Sequence, residues 1–338
     1  MPVKKVKKSN IDVLTEELLH VVFQFIHDPY TWSLTCRRFH AISKDISARA
    51  LWLIGYGGSL ALSMAIRLHP HPSFFDVDLA VALVNRGIPF PRVLVQYAFG
   101  RYYQGREDLA IGRRLIRPSV LFYLKSESVR RYGNDSLLSC DDGREFDSWF
   151  DKTFNRFPHN PPDYASLEEF VRRTGFIFIP YVNWGRQIRA GSTVPQGDPS
   201  LFAMIWSLLL HAPQAIDILV QIGGMDLESS IALLQKDHRM PNDYVLVQIF
   251  YRAIWYMVPE SVVRSEQAIV DAIKRLLHYA PSIRMTPEAL DRCDASLAAL
   301  QRSRPEEVNK VPIFALKRIL ARWRHYGDYR QLGMSYAG

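Results

Sequence analysis

Five carboxylates crowd between residues 141 and 151: Asp141, Asp142, Glu145, Asp147 and Asp151. Carboxylates at this density are the raw material of a hard-cation site. Their order lacks the alternation of ligands that a calcium loop uses, so a solvated acidic turn facing basic residues is expected. His69 and His71 sit in the turn "HPHP" with no carboxylate or cysteine beside them. Cys36, Cys140 and Cys293 are far apart, and no CxxC or Cys/His spacing suits zinc. There is no GxSxG, HExxH or Walker loop. "LWLIGYGGSLA" offers Gly55 and Gly57, but Leu60 stands where GxGxxG needs its third glycine and no βαβ pattern follows. The three glycines there are expected to loosen the exit from the N-terminal segment. The expectation is no cofactor, no metal site and no enzyme, since nothing local builds a catalytic centre.

Charge points to binding instead. Residues 101–131 hold eight Lys/Arg against Glu107, Asp108 and Glu127, with Tyr102 and Tyr103 interleaved. Arg101, Arg106, Arg113, Arg114 and Arg117 are a candidate target-binding patch, although solvated helix faces are the simpler expectation. The formal charge of +8 is concentrated at the ends: residues 1–10 carry +4, residues 301–338 carry +5, and residues 11–300 therefore carry −1. A basic groove through the body is not implied, and nucleic acid is not an expected partner. Two uncharged runs, Ala50–Ile66 and Pro199–Ile216, are interrupted by glycines or Pro213 and fall short of the roughly 20 residues of a bilayer span. They are expected to be buried protein segments. "MPVKKVKKSN" has no apolar segment of a secretory signal. With the unpaired cysteine pattern, this predicts a soluble protein of the cytosol, the nucleus or both, in which the sequon at Asn134 is idle.

The elements that must position any site are helical. An apolar content of 48% against 22% charged suits an ordinary globular core. Proline recurs where helices should begin, since its fixed φ and missing N–H are harmless in a first turn. Asp198-Pro199 and Thr286-Pro287 add a capping side chain, and Pro91, Pro118, Pro213 and Pro241 look similar. Gly87 and Gly223 are expected to end helices as left-handed caps. Val262, Ile269, Ile273, Leu276 and Leu277 share one helical face. In the last helix Ile313, Leu316, Leu320 and Trp323 oppose Lys317, Arg318, Arg322 and Arg324. "FIFIP", Phe176–Pro180, is the best strand-like run. "VLVQ" occurs at Val93–Gln96 and again at Val245–Gln248, and Leu219–Gln221 repeats part of it. Stacked helical hairpins reuse such patterns. The fold class expected is all-α: a short N-terminal module followed by a degenerate, solenoid-like helical array. The boundaries are a basic arm at 1–9, the module at 10–54, a helical domain at 55–330 and a tail at 331–338.

The module has the clearest chemistry. Thr15 can cap a helix whose first turn holds Glu16 and Glu17. Leu18, Leu19, Val22, Phe25 and Ile26 give it an apolar stripe, and Asp28-Pro29 stops it and starts another helix. In "LTCRRFHAI", Leu34–Ile42, the spacing turns Cys36 and Phe39 inward, while Arg37 and Arg38 run their stems along the helix with their charged ends in water. About 40 residues make a marginal core, so docking onto the rest of the chain or onto a partner is expected.

These pieces together resemble the F-box, the motif by which substrate receptors dock on the Skp-type adaptor of SCF ubiquitin ligases. "LTEELL" matches the family's Leu-Pro-x-Glu-Leu-Leu opening. An aliphatic helix, Asp-Pro, "LTCRRFHAI" for the Leu-x-Cys-Arg-x-aromatic segment and Leu51-Trp52 follow in order. Thr15 departs from the usual proline, and the interval from Asp28 to Cys36 is about three residues short, nearly one helical turn. The resemblance covers about an eighth of the chain. It implies adaptor contacts from Leu14, Leu18, Leu19, Val22 and Ile26, then Leu34 and Phe39, in the helix-in-groove mode. It also implies a cullin reached through the adaptor, and an unidentified protein target held by the remainder. The competing expectations are a helical scaffold whose module packs internally and recruits no ligase, and an enzyme with a dispersed site.

Overall fold

The computed structural model describes residues 14–26, 28–68, 74–107, 116–133, 141–153, 161–178, 205, 208–237, 266–281, 283, 286–303 and 310–327. Among them there is no strand, and the fold is all-α. Two compact units divide the chain, one of residues 1–90 and 98–127, the other of 91–97 and 128–338.

The first unit begins with α1 (Glu16–Phe25), α2 (Pro29–Ser33), α3 (Arg37–Lys44) and α4 (Ile46–Gly57), continuing into α5 (Ala61–Leu68) and α6 (Val77–Asn85). Side-chain caps start most of these. Thr15 Oγ1 accepts from the Leu18 amide, Asp28 from Tyr30 and Thr31, Asp45 from Ala48 and Asp76 from Leu79. Such a cap is worth about 1 kcal/mol. Helix α4 is central: α1, α3, α5 and α6 all pack on it. It does not loosen at its glycines. It runs through Gly55 to Gly57, where an added Cβ would overlap Met64 Sδ, so this glycine lets α4 and α5 pack closely. Ile46–Ile66 is long and apolar enough by composition to cross a bilayer, and 61% of that window is buried inside the protein.

Arg49 ties α4 to α6. It is 5% exposed, and Nη1 and Nη2 each donate to Asp76 Oδ2 at 3.1 Å. Asp76 thus caps α6 and neutralises Arg49 at once. Gly87 ends α6 at φ 79°, the left-handed conformation that favours glycine.

Helices α7 (Arg92–Glu107) and α8 (Pro118–Tyr132) contribute residues to both units. The second unit continues with α9 (Asp142–Asp151), α10 (Tyr164–Thr174), α11 (Pro213–Gln221), α12 (Leu227–Asp237), α13 (Glu266–Tyr279), α14 (Pro287–Ser303) and α15 (Lys310–Tyr326). Proline opens α8, α11 and α14, and Thr286 caps the last of these through the Ala289 amide. Pro199 and Pro241 lie outside the described residues, as do Val262 and the second VLVQ. Ile269, Ile273, Leu276 and Leu277 are buried on α13. On α15, Leu320 and Trp323 are buried, while Arg324 reaches Asp291 and Asp294 of α14 at 2.7 and 2.6 Å.

Two expectations are corrected in this unit. Phe176–Phe178 forms no strand. No second extended segment pairs with it among the described residues, and it runs as buried coil under α9, with the Phe146 ring 4.8 Å from Phe176 and 5.0 Å from Phe178. Gly223 is not the left-handed cap of α11; Gly224 takes that role at φ 72°. Gly223 is needed for a different reason: a Cβ there would lie 2.5 Å from the Phe176 carbonyl oxygen.

Candidate functional site

Helix α1 is apolar on two sides and buries only one. Leu19 and Phe23, 1% and 0% exposed, face the neighbouring helices α3 and α4. Leu18, Val21, Val22 and Phe25 remain 50%, 49%, 41% and 83% exposed. Their spacing of i, i+3, i+4 and i+7 is the pattern with which a helix presents anchors to a groove. Burying one such side chain against a partner is worth about 1.5–3 kcal/mol.

The row sits above an aromatic layer on a helix tied at both ends. The Trp32 ring stacks on Phe39 at 4.0 Å, and Phe23 packs on Trp32 at 5.2 Å, filling the space beneath α1. Both ends of the helix are pinned by side chains. Arg38 Nη2 donates to the Leu14 carbonyl at 2.8 Å, and Trp52 Nε1 donates to the Ile26 carbonyl at 2.8 Å. The Thr15 hydroxyl caps the helix, and Glu17, with its own amide and Thr15 as hydrogen-bond partners, is held below the usual carboxylate range.

Several sequence expectations shift here. Leu19 and Phe39 are core residues, since α1 must keep one apolar side to attach to α3 and α4. Leu14 and Ile26 are half-buried, with their carbonyls taken by Arg38 and Trp52. Leu18, Val22 and Leu34 are open, Leu34 at 66%. Cys36 is exposed at the start of α3 rather than inward, because α3 begins one residue later and its inner side is set by Phe39 and Ile42. The charged end of Arg38 is engaged by the Leu14 carbonyl. Val21, Phe25 and Tyr30 were not among the expected contact residues. Val21 and Phe25 complete the i, i+3, i+4, i+7 row, so their signal was present in the spacing.

Of the five candidate arginines of the basic stretch, Arg117 alone has a described side chain. Arg117 is exposed. Arg101 and Arg106 belong to α7, with side chains outside the description, and Arg113 and Arg114 lie outside the described residues.

The acidic segment is helix α9, not a solvated turn, and its acids play separate parts. Asp142 is 0% exposed and receives Arg92 Nε at 2.9 Å, while its amide donates to Gln96 at 3.1 Å. Glu145 pairs with Arg173 of α10. Asp147 is 8% exposed with no hydrogen-bond partner for Oδ1. Burial, and secondarily the Asp141 charge, push its carboxyl up to about 7. No three His, Cys, Asp or Glu side chains among the described residues are grouped to hold a metal ion.

A cleft of about 650 Å³ opens between α9 and α10, floored by Leu167 and Phe170 and walled by Trp149, whose indole N–H donates to the Asp163 carbonyl at 2.9 Å.

No protein-family model matches this chain, and no curated protein or solved structure matches it. The description the fold itself supports is an all-α protein.

Proposed function

We propose that this protein is a non-catalytic substrate receptor: an F-box-like module docks on a Skp-type adaptor and, through it, a cullin, while the later helices form a degenerate array that holds a protein target. The observation that carries this proposal is the open row Leu18, Val21, Val22 and Phe25 on a helix already anchored through Leu19 and Phe23. A helix that attaches itself with one apolar side and leaves another exposed is suited to a second polypeptide. The order of "LTEELL", Asp28-Pro29 and "LTCRRFHAI" supplies the kind of partner. The receptor performs no chemistry; it holds a target lysine near a charged ubiquitin carrier and raises its effective concentration there. Such work belongs in the cytosol or nucleus, in line with the unpaired cysteine pattern.

The test is co-precipitation of a Skp-type adaptor by the full chain. Leu18→Asp with Val22→Asp should abolish capture without unfolding the protein. Failure of the unaltered chain to retain the adaptor would remove the proposal.

One observation favours a scaffold without a ligase. Arg49 and Asp76 lock α4 onto α6, so the module does dock on its own chain. On that reading the α1 row contacts some other protein, and adaptor capture is absent.

A further inference from the structure

Helix α1 carries two of its open apolar side chains at its ends. Leu18 lies in the first turn, and Phe25, the most exposed of the row, is the last helical residue. Ends are where a helix frays, because their backbone groups lack intrahelical partners. At ten residues α1 is also shorter than the roughly 12–15 that hold helical form alone in water. Leu18 and Phe25 therefore depend on whatever fixes the two ends.

Each end is met by a side-chain donor from another helix. Before the first turn, Arg38 Nη2 of α3 donates to the Leu14 carbonyl at 2.8 Å. After the last turn, Trp52 Nε1 of α4 donates to the Ile26 carbonyl at 2.8 Å. Ile26 has already left the helix at φ −74° and ψ 142°, so its carbonyl has no amide of α1 to accept from. The two hydrogen bonds place the ends, while buried Leu19 and Phe23 set the rotation of the helix about its axis. Trp52 also fills the interior, its ring 5.4 Å from Tyr56 and 6.0 Å from Phe74. That packing needs no N–H, so the two roles are separable. Phenylalanine keeps an aromatic ring there and removes the donor.

We propose that Trp52 and Arg38 are positioning residues for docking. The Trp52 indole N–H holds the last turn of α1 so that Phe25 stands as an anchor, and the Arg38 guanidinium holds the first turn so that Leu18 does. The partner in question rests on the adaptor docking proposed above. Trp52 acts from the interior, at 3% exposure, by lowering the cost of ordering α1 when the partner arrives.

The test uses the full chain and a purified Skp-type adaptor. Trp52→Phe and Arg38→Gln are each expected to weaken binding about fivefold, the factor that one lost hydrogen bond carries. The anchors tell positioning from general weakening. Trp52→Phe should cost less than about twofold once Phe25→Ala is present, yet keep its full effect beside Leu18→Ala. Arg38→Gln should show the reverse pattern. Hydrogen exchange read by mass spectrometry should quicken in the last turn of α1 with Trp52→Phe and in the first with Arg38→Gln. Arg38 is exposed, so Arg38→Gln carries the test if Trp52→Phe lowers the melting temperature. Unchanged affinity, equal losses in both anchor backgrounds, or unchanged exchange at the ends of α1 would each overturn the proposal. Local exchange changes in a chain that binds no adaptor reject the adaptor alone. Adaptor binding with unchanged exchange rejects the positioning alone.

Discussion

Leu18 and Leu19 are chain neighbours with opposite fates: Leu19 is 1% exposed against its own protein, and Leu18 is 50% exposed to solvent. The same residue type is therefore part of the core at one position and open to solvent at the next. Leu19→Ala should lower unfolding free energy by about 2–5 kcal/mol, as expected for a buried leucine. Leu18→Ala should change stability by less than about 0.5 kcal/mol, as at an ordinary surface position. Denaturant unfolding of both variants reads the difference.

Arg92 and Asp142 form a pair at 3% and 0% exposure. Removing either alone strands a buried charge. Arg92→Met or Asp142→Leu should each cost about 3–5 kcal/mol, whereas the double variant should recover much of the loss, since apolar replacements of a buried pair can be neutral. A double-mutant cycle by urea unfolding measures the coupling.

Asp147 makes a pH signature. Its carboxyl is pushed up to about 7 from an ordinary 3.8, so between those values the folded protein keeps a proton that the unfolded chain has released. Its contribution to stability is therefore greatest at the acid end, declines as pH rises toward 7 and is flat above that. Asp147→Asn carries no such proton. The variant should gain on the unaltered protein across that window and exceed it by about 1–3 kcal/mol near pH 8. Chemical denaturation of the two proteins across pH gives the comparison.

The cysteines should separate by reactivity. Cys36 is exposed, whereas Cys293 is buried, and burial with the nearby Asp294 charge pushes its thiol up to about 12. Iodoacetamide should modify Cys36 at least about tenfold faster in the folded protein, with Cys293 reacting once denaturant is added. Peptide mapping by mass spectrometry follows each site.

Helix boundaries were legible because their signals are local. Thr15, Asp28 and Pro29 name the ends of α1 and α2 by themselves, and Thr286-Pro287 does the same for α14. The division of α1 into two apolar sides was harder to read. Leu18 and Leu19 carry the same side chain, and only the positions of α3 and α4 decide which is covered. Asp142 and Asp147 were misjudged for a related reason. Asp142 is paired with Arg92, fifty residues away, and the helix that carries both acids is packed through Phe146 on Phe176, contacts that no short window of sequence shows. The α9–α10 cleft was not legible, because Trp149 and Asp163 meet only where two separate helices pack together. Phe176–Phe178 alternates like a strand, yet lacks a partner to pair with among the described residues.

The central claim is that the outer side of α1 receives an adaptor. Calorimetric titration of the full chain with a purified Skp-type adaptor tests it most directly. Saturable binding is predicted, with a negative heat-capacity change from apolar burial, and it should be lost in the Leu18→Asp, Val22→Asp protein while its melting temperature is retained. No heat of binding from the unaltered chain, or equal binding by the variant, would contradict it.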